Sequence, residues 1–249
     1  MAMESLNFTY NPSAVALSIA VAILGSFTGL VMTSGIRRTS GRIKMIRIFL
    51  GGLGVGGGIW SMHFISMLAV ILPVELYYDV TRTTISAMIA ISFVAVALAI
   101  VTDNKLGNAT LPVSAIFLGS GIGGMHYLGM YAIRGSCGIT YSWLGVFISI
   151  VIAIEASGVA LWFAFRERGV LDTILGSVAL GLAIALMHYS GMEATHFISA
   201  PALAEIPELL FSERYLALAV AITIYTVCGG CLIVFSALNY HDDRRRLRG

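Results

Sequence analysis

The chain has 249 residues, of which 58% are hydrophobic and only 11% are charged, and its formal net charge is +2. Soluble domains carry about a quarter of charged residues, so this composition excludes an ordinary soluble domain and indicates an integral membrane protein. The small net charge gives no reason to expect a nucleic-acid partner. Three cysteines are too few for a disulfide framework.

Seven apolar segments are long enough to cross a bilayer, which takes about 20 residues of helix. The N-terminus lacks the basic region of a signal peptide, so the first segment is predicted to be a retained span. In chain order, the predicted spans are 13–35, 46–72, 83–102, 111–133, 143–165, 171–194 and 215–238. The predicted fold is therefore an all-α integral membrane bundle of seven transmembrane helices.

Lysine and arginine are divided unequally between the loops on the two sides of this bundle. With the N-terminus outside, twelve of them fall on the inner side and three on the outer side. Because cytoplasmic loops carry the excess of positive charge, we predict an outer N-terminus and a cytoplasmic C-terminus, with a membrane domain over 1–241 and a basic cytoplasmic tail over 242–249. The inner residues are Arg37, Arg38, Arg42, Lys44, Arg47, Lys105, Arg166, Arg168, Arg244, Arg245, Arg246 and Arg248, and the outer ones are Arg82, Arg134 and Arg214.

A six-residue motif recurs as MHFISM at 62–67, MHYLGM at 125–130 and MHYSGM at 187–192. Its histidines are separated by 126 − 63 = 63 and 188 − 126 = 62 residues. A fixed period indicates an internal repeat, and each unit is predicted to be a pair of spans: the second with the third, the fourth with the fifth, and the sixth with the seventh. The three pairs share one orientation, so the repeat is parallel, and the first span stands outside it.

The repeat also predicts a depth for the histidines. Each lies about 15–17 residues from the inner end of a span that runs outward, which corresponds to roughly 23–26 Å. They should form one layer in the outer third of the membrane, open toward the outside. A methionine four residues after each histidine shares its helix face, and another directly precedes it. The candidate metal ligands are His63, Met67, His126, Met130, His188 and Met192, with Met62, Met125 and Met187 at the edge of the site.

The combination of imidazole and thioether favours copper, and Cu(I) in particular, because thioether sulfur is a soft ligand. Zinc prefers cysteine, histidine and carboxylate, and magnesium and calcium prefer oxygen. A single buried histidine beside methionines is more often simple packing, since methionine fills gaps well. Three such motifs at one depth favour a site, because ionisable residues inside a membrane are usually functional.

The triple MH[FY]-x-[SG]-M pattern in seven spans resembles the MHYT domain, a bacterial integral-membrane sensor, over essentially the whole chain. The resemblance implies a copper site near the outer face and sensing of dioxygen, carbon monoxide, nitric oxide or redox state. It also implies a place in the bacterial cytoplasmic membrane, within the lipid bilayer, and signalling to a cytoplasmic module such as a cyclic-di-GMP enzyme, a kinase or a DNA-binding domain.

The sequence departs from the family pattern at the motif position where the family has threonine. Ile65, Leu128 and Ser190 stand there, and Phe64 replaces the tyrosine found as Tyr127 and Tyr189. Second-sphere hydroxyl groups, which tune metal sites, are therefore expected to differ. The 249 residues contain no recognisable output module, so they fit either a stand-alone sensor or a piece of a longer protein.

The same pattern is compatible with other classes of protein. A copper transporter or channel would carry ligands at several depths, whereas these histidines form one layer. Paired histidines on neighbouring spans can also bind haem. A retinal protein needs a Schiff-base lysine, and the seventh span has none. No nucleophile and base converge in the pattern, so an enzyme is not expected.

Three further features deserve a prediction. Glu155, in the middle of the fifth span, would be costly as a charge and is expected to be protonated and hydrogen-bonded to a neighbouring helix, with a proton-relay or ion-site role as the alternative. The pair Cys228 and Cys231 is expected to be helix packing. Glu193 and His196 follow the third motif near the outer surface and are expected to be solvated there.

Overall fold

A computed structural model describes residues 5–103, 107–165, 169–200 and 210–246. It contains seven helices that are long and apolar enough to cross a membrane. They are α1 (Pro12–Thr33), α2 (Gly41–Leu68), α3 (Val80–Asp103), α4 (Thr110–Tyr131), α5 (Trp143–Ala164), α6 (Val170–Glu193) and α7 (Glu213–Arg246). The seven predicted spans are thereby confirmed. Residues 242–246 of the predicted tail continue α7, and 247–249 lie outside the described residues.

Local sequence explains where several of these helices begin. Asn11 precedes α1, and its side-chain oxygen accepts hydrogen bonds from the backbone N–H groups of Ser13 (3.1 Å) and Ala14 (3.4 Å), while Pro12 occupies the first helical position. Ser142 caps α5 in the same way, by accepting from the N–H of Gly145. Such caps satisfy N–H groups that have no partner within the helix.

Eight short strands lie at the end of the bundle where the motif helices finish. They are β1 (Ser5–Leu6), β2 (Thr9–Tyr10), β3 (Val70–Ile71), β4 (Leu76–Asp79), β5 (Ile133–Gly135), β6 (Cys137–Tyr141), β7 (Thr195–Ser199) and β8 (Leu210–Ser212). All pairs are antiparallel and form three small sheets with the orders β1-β7-β6, β2-β3 and β5-β4-β8. These sheets tie the N-terminal segment and the helix connections into one cap.

The first six helices form a closed ring. Each helix packs extensively against the next one in the chain, and α1 also packs against α6, which closes the ring. The motif helices α2, α4 and α6 alternate with α1, α3 and α5, which we call the intervening helices. The three motif helices also meet one another at the centre. The ring therefore has approximate threefold symmetry, with the motif helices at equivalent places.

The packing of α1 and α7 differs from what the sequence repeat suggests. The sequence pairs α6 with α7 and leaves the first span aside, but α1 takes the place beside α6, and α7 packs outside the ring against α2 and, less, against α1. Close contact of α1 with α2 depends on glycine: a Cβ at Gly25 would collide with the Cα of Gly58 and lie 3.0 Å from the carbonyl oxygen of Gly54. Small residues of this kind let membrane helices approach closely.

Candidate metal centre

The three histidines occupy the same position on their helices. His63, His126 and His188 each lie five residues before the last residue of α2, α4 and α6 (68 − 63, 131 − 126 and 193 − 188). Their side chains are between 0% and 2% exposed. The predicted single layer of histidines is present, and the ring brings all three together on its central axis.

The histidine Nδ1 atoms form a nearly equilateral triangle. The three Nδ1–Nδ1 distances are 3.2 Å for His63 and His188, 3.3 Å for His126 and His63, and 3.2 Å for His126 and His188. The ring centroids are 5.0–5.1 Å apart and the rings are tilted by 78–87° to one another. The three rings thus point the same nitrogen atom at one common centre.

This triangle cannot satisfy its own hydrogen bonds. A neutral imidazole has one N–H, so each Nδ1 either donates or accepts. With three Nδ1 atoms in mutual contact, at least two of them must be of the same kind. At least one contact therefore joins two donors or two acceptors. A cation at the centre removes the conflict, because all three lone pairs can then point at it. The centre of a triangle with these sides lies about 1.9 Å from each corner, close to the ~2.0 Å of a metal–imidazole bond.

The ligand atoms of these three histidines all lie within 4.8 Å of one another, close enough to hold one ion. No other group of three or more described His, Cys, Asp and Glu residues meets this condition. The donor set therefore fits a metal ion. Each Nε2 atom is buried without a hydrogen-bond partner among the described residues. In this respect the site departs from most histidine metal sites, where the second ring nitrogen has a partner.

Two motif glycines make room for the histidine rings. A Cβ at Gly129 of α4 would collide with Nε2 of His63, and a Cβ at Gly191 of α6 would lie 2.5 Å from Nε2 of His126. Each ring therefore rests against the small residue of the next motif helix. Ser66 holds the corresponding position in the first motif. The small residue at the [SG] position of the motif is visible in the sequence. The sequence pattern alone does not distinguish a contact with a histidine ring from ordinary helix packing.

The six motif methionines are all buried. Met62, Met67, Met125, Met130, Met187 and Met192 are between 0% and 2% exposed, on the same helix ends as the histidines. The hydroxyl of Ser66 lies 3.1 Å from the hydroxyl of Tyr189 and 3.8 Å from the sulfur of Met62. Their role as ligands stays a prediction, whereas the three histidine nitrogens converge.

Hydroxyl groups fasten two motif helices to the intervening helices. The hydroxyl of Tyr127 lies 2.6 Å from Oγ of Ser149, which itself donates to the carbonyl of Val146. The hydroxyl of Tyr189 lies 3.1 Å from Oγ of Ser18, which donates to the carbonyl of Val15. Because each serine has only one hydrogen, each tyrosine must be the donor to its serine.

The first motif lacks this connection. Ser86 of α3 corresponds to Ser149, since 149 − 86 equals the motif spacing of 63, and it donates to the carbonyl of Thr83 in the same way. Its expected donor would be residue 64, which is Phe64 and has no hydroxyl. The α2–α3 interface therefore lacks the tyrosine–serine hydrogen bond that the two equivalent interfaces have.

Aromatic side chains cover the site on the strand-capped side, which is the side predicted to open outward. Tyr78, Tyr141 and Tyr10, from the strands, pack edge-on against Phe64, Tyr127 and Tyr189, with ring centroids 5.9, 5.6 and 5.6 Å apart. Burial raises the pKa of Tyr141 to about 12 and also raises those of Tyr10 and Tyr78, so these phenols stay neutral. These six rings form an aromatic layer between the histidines and the strands.

The remaining candidates have other settings. Glu155 is exposed on the outward surface of α5, and the expected hydrogen bond to a neighbouring helix is not found among the described residues. Cys231 is buried, and its thiol lies 3.7 Å from the carbonyl of Leu50 as a donor, which is the packing role expected for this pair. Glu193 and His196 are exposed at the strand-capped end, as expected.

The seven spans and the gathered Met-His motifs define a multi-pass membrane protein built on a threefold repeat. The chain belongs to the MHYT family, described as a bacterial signalling protein N-terminal repeat, whose model matches residues 56–113, 119–177 and 181–249. Each matched unit contains a motif helix and the helix that follows it, as the spacing predicted. The MHYT domain is a sensor domain rather than a catalytic one, and the resemblance noted from the motifs is confirmed.

Known relatives are bacterial signalling proteins. The bifunctional diguanylate cyclase/cyclic di-GMP phosphodiesterase MucR of Pseudomonas aeruginosa is 43% identical over 76% of this chain and 28% of its own length. The cyclic di-GMP phosphodiesterase NbdA of the same organism is 33% identical over 79% and 26%, and the signaling protein YkoW of Bacillus subtilis is 31% identical over 98% and 30%. The chain thus spans less than a third of these relatives. No solved structure matches it.

Proposed function

We propose that this domain is a copper-binding sensor of the bacterial cytoplasmic membrane that reports a diatomic gas or a redox change to a cytoplasmic signalling module. The observation that carries the proposal is the convergence of three histidine Nδ1 atoms, 3.2–3.3 Å apart, on the axis of the ring. Buried polar atoms without satisfied contacts are costly, and a bound cation would resolve this cost.

The surroundings of the triangle support copper as the metal. The three Nδ1 atoms would hold the ion, and the six buried motif methionines supply the soft donors nearby. Thioether sulfur favours Cu(I) over Zn(II) and over Cu(II). Bound copper would supply a redox couple and an open coordination position for dioxygen, carbon monoxide or nitric oxide. Three histidines alone also form zinc sites, so the preference for copper rests on the buried methionines and not on the histidine cluster.

The fold supports a route for the signal. The ligands come from three separate helices that run the full thickness of the bundle, so a change in preferred coordination geometry would move α2, α4 and α6 relative to one another. Such a movement becomes a switch if the bundle has two packings of similar energy, and a shift of about 1–3 kcal/mol is enough. The names of the relatives MucR and NbdA point to cyclic-di-GMP output.

The alternatives have less support. A haem would have to place its macrocycle between two histidine ligands, and Nδ1 atoms 3.2–3.3 Å apart leave no room for it. A transporter or channel would need ligand groups at further depths, and among the described His, Cys, Asp and Glu residues only the three histidines, at one depth, form such a group. The sealed aromatic layer also suits a sensor better than a permeation path.

Competition titration of the purified domain under anaerobic conditions tests the proposal. With Met67, Met130 and Met192 replaced by leucine, size and apolarity are kept but sulfur is lost, so Cu(I) affinity should fall strongly while weak imidazole-based binding remains. Met32→Leu is the matched control, because Met32 is equally buried but belongs to a separate cluster with Leu50 and Cys231. Equal Cu(I) affinity of the triple variant and the parent would refute the soft-ligand assignment.

A further inference from the structure

Glu155 lies on the lipid-facing surface at mid-membrane depth. It follows the first residue of α5 by 155 − 143 = 12 positions and precedes the last by 164 − 155 = 9. At 1.5 Å per residue, the nearer helix end is about 13 Å away. A glutamate side chain is too short to bring its carboxyl group to the headgroups over that distance. Its side chain is exposed on the outward face of the bundle.

The surroundings of Glu155 on this face are entirely apolar. Val151 and Val159, one turn away on either side, are 40% and 55% exposed, and Ile148 and Trp162 continue the same stripe. Among the described spans, no other acidic or basic side chain is exposed on the outward surface at this depth. One carboxyl group thus interrupts a surface that otherwise suits hydrocarbon.

Lipid tails cannot satisfy a carboxyl group. A charged form is costly at this depth, and ionisable residues within membranes almost always face protein or water. The neutral form carries one hydrogen-bond donor and one acceptor, and both groups stay unsatisfied in hydrocarbon. A partner protein surface that packs on α5 and offers one acceptor and one donor would satisfy both groups of the carboxyl.

We propose that the outward face of α5 is a homodimer interface in which the Glu155 carboxyl groups of two copies hydrogen-bond to each other across a twofold axis. A protonated carboxyl group is self-complementary, since its donor matches the acceptor of an identical group. A twofold axis brings the same residue of both copies together. The second copy is therefore the simplest partner that supplies both groups, and the valine stripe packs around them.

Disulfide cross-linking in membranes tests the contact. In a background with the three native cysteines replaced by alanine, Val151→Cys and Val159→Cys should each form a disulfide-linked dimer. Met88→Cys is the matched control: Met88 lies eight residues into α3 (88 − 80), as Val151 does into α5 (151 − 143), and it is 61% exposed. No cross-linking from Val151→Cys and Val159→Cys, or equal cross-linking from Met88→Cys, overturns the proposal.

Variants of Glu155 then test the hydrogen bond. Glu155→Gln keeps a self-complementary donor and acceptor and should preserve dimerisation in detergent, measured by energy transfer between labelled copies. Glu155→Leu, which fits the lipid-facing stripe and should melt no lower than the parent, should weaken association about tenfold. Association of Glu155→Leu as strong as that of the parent overturns the proposal. The proposal is also overturned if the parent is monomeric and binds a different membrane protein through Glu155.

Discussion

His63 and His126 rest against residues of the neighbouring motif helix that have no side chain. The sequence allowed the depth and grouping of the histidines to be predicted, because spacing and span length determine both. It did not allow prediction of which ring nitrogen faces the centre, since that depends on side-chain rotation against Gly129 and Gly191. The motif glycines contact the histidine rings only when the three helices face one another, so their role is visible only in the folded structure.

Gly129→Ala should weaken metal binding, because its new Cβ collides with Nε2 of His63 and turns that ring away from the centre. The loss should reach the roughly 10–100-fold range typical of groups that orient a ligand. Gly124→Ala on the same helix is the control, since the nearest atom to its Cβ is Cγ2 of Ile89, at 3.6 Å, an ordinary contact. Anaerobic titration of both variants compares them, and similar affinities would contradict this role of Gly129.

Phe64→Tyr should stabilise the protein by adding the hydrogen bond from α2 to α3 that the other two motifs already make. One buried hydrogen bond contributes about 0.5–1.5 kcal/mol. In a Ser86→Ala background the acceptor is gone, so the same change should give no gain and leave a buried hydroxyl unsatisfied. Thermal unfolding of the four proteins in this double-mutant cycle measures the coupling, and an equal gain in both backgrounds would show that Ser86 is not the acceptor.

At the level of helices, hydropathy predicts the number of spans well and their ends less well. The predicted span 46–72 is shifted relative to α2, Gly41–Leu68. The helix starts in polar residues that hydropathy leaves out, and the apolar Val70 and Ile71 belong to β3. The position of α1 in the ring could not be predicted, because the sequence repeat contains the seventh span and not the first. The contact of Gly25 with Gly58 places α1 there.

Gly25→Ala should destabilise the ring, because its Cβ meets the backbone of Gly58 and no flexible side chain can yield. Overpacking of this kind costs about 1–3 kcal/mol. Metal affinity should fall with stability, since α1 joins α2 to α6. Gly230→Ala on α7 is the control, because no atom lies within 4 Å of its Cβ. Melting temperatures of the two variants in detergent decide the matter, and equal values would show that α1 packs more loosely than described.

For the whole molecule, the distribution of lysine and arginine predicts the orientation. Two of the three arginines predicted to be outside, Arg82 and Arg134, both lie 3.9 Å from the Asp79 carboxylate, and Arg82 also stacks on the ring of Tyr131 at 4.2 Å. Their charges are therefore partly balanced at the strand-capped end. Most of the lysines and arginines belong to the opposite end in the sequence, which agrees with a cytoplasmic position for that end.

Reporters fused after α7 should accordingly show a cytoplasmic C-terminus, and reporters fused before β1 should show an N-terminus outside. Paired fusions of alkaline phosphatase and a fluorescent protein at each terminus give a direct reading of the two sides. A C-terminal fusion with high phosphatase activity and no fluorescence would reverse the orientation and place the histidine layer near the inner leaflet.

The central claim is that His63, His126 and His188 hold one metal ion together, and the metal content of purified single variants tests it most directly. After anaerobic loading with Cu(I) and removal of excess, the parent should retain one copper per chain, measured by mass spectrometry of the metal. His196→Ala, which changes an exposed histidine on β7, should retain the same amount. Each of His63→Ala, His126→Ala and His188→Ala should lose nearly all of it, since every histidine supplies one corner of the same triangle. Full copper retention by any one of these three variants would contradict a shared site.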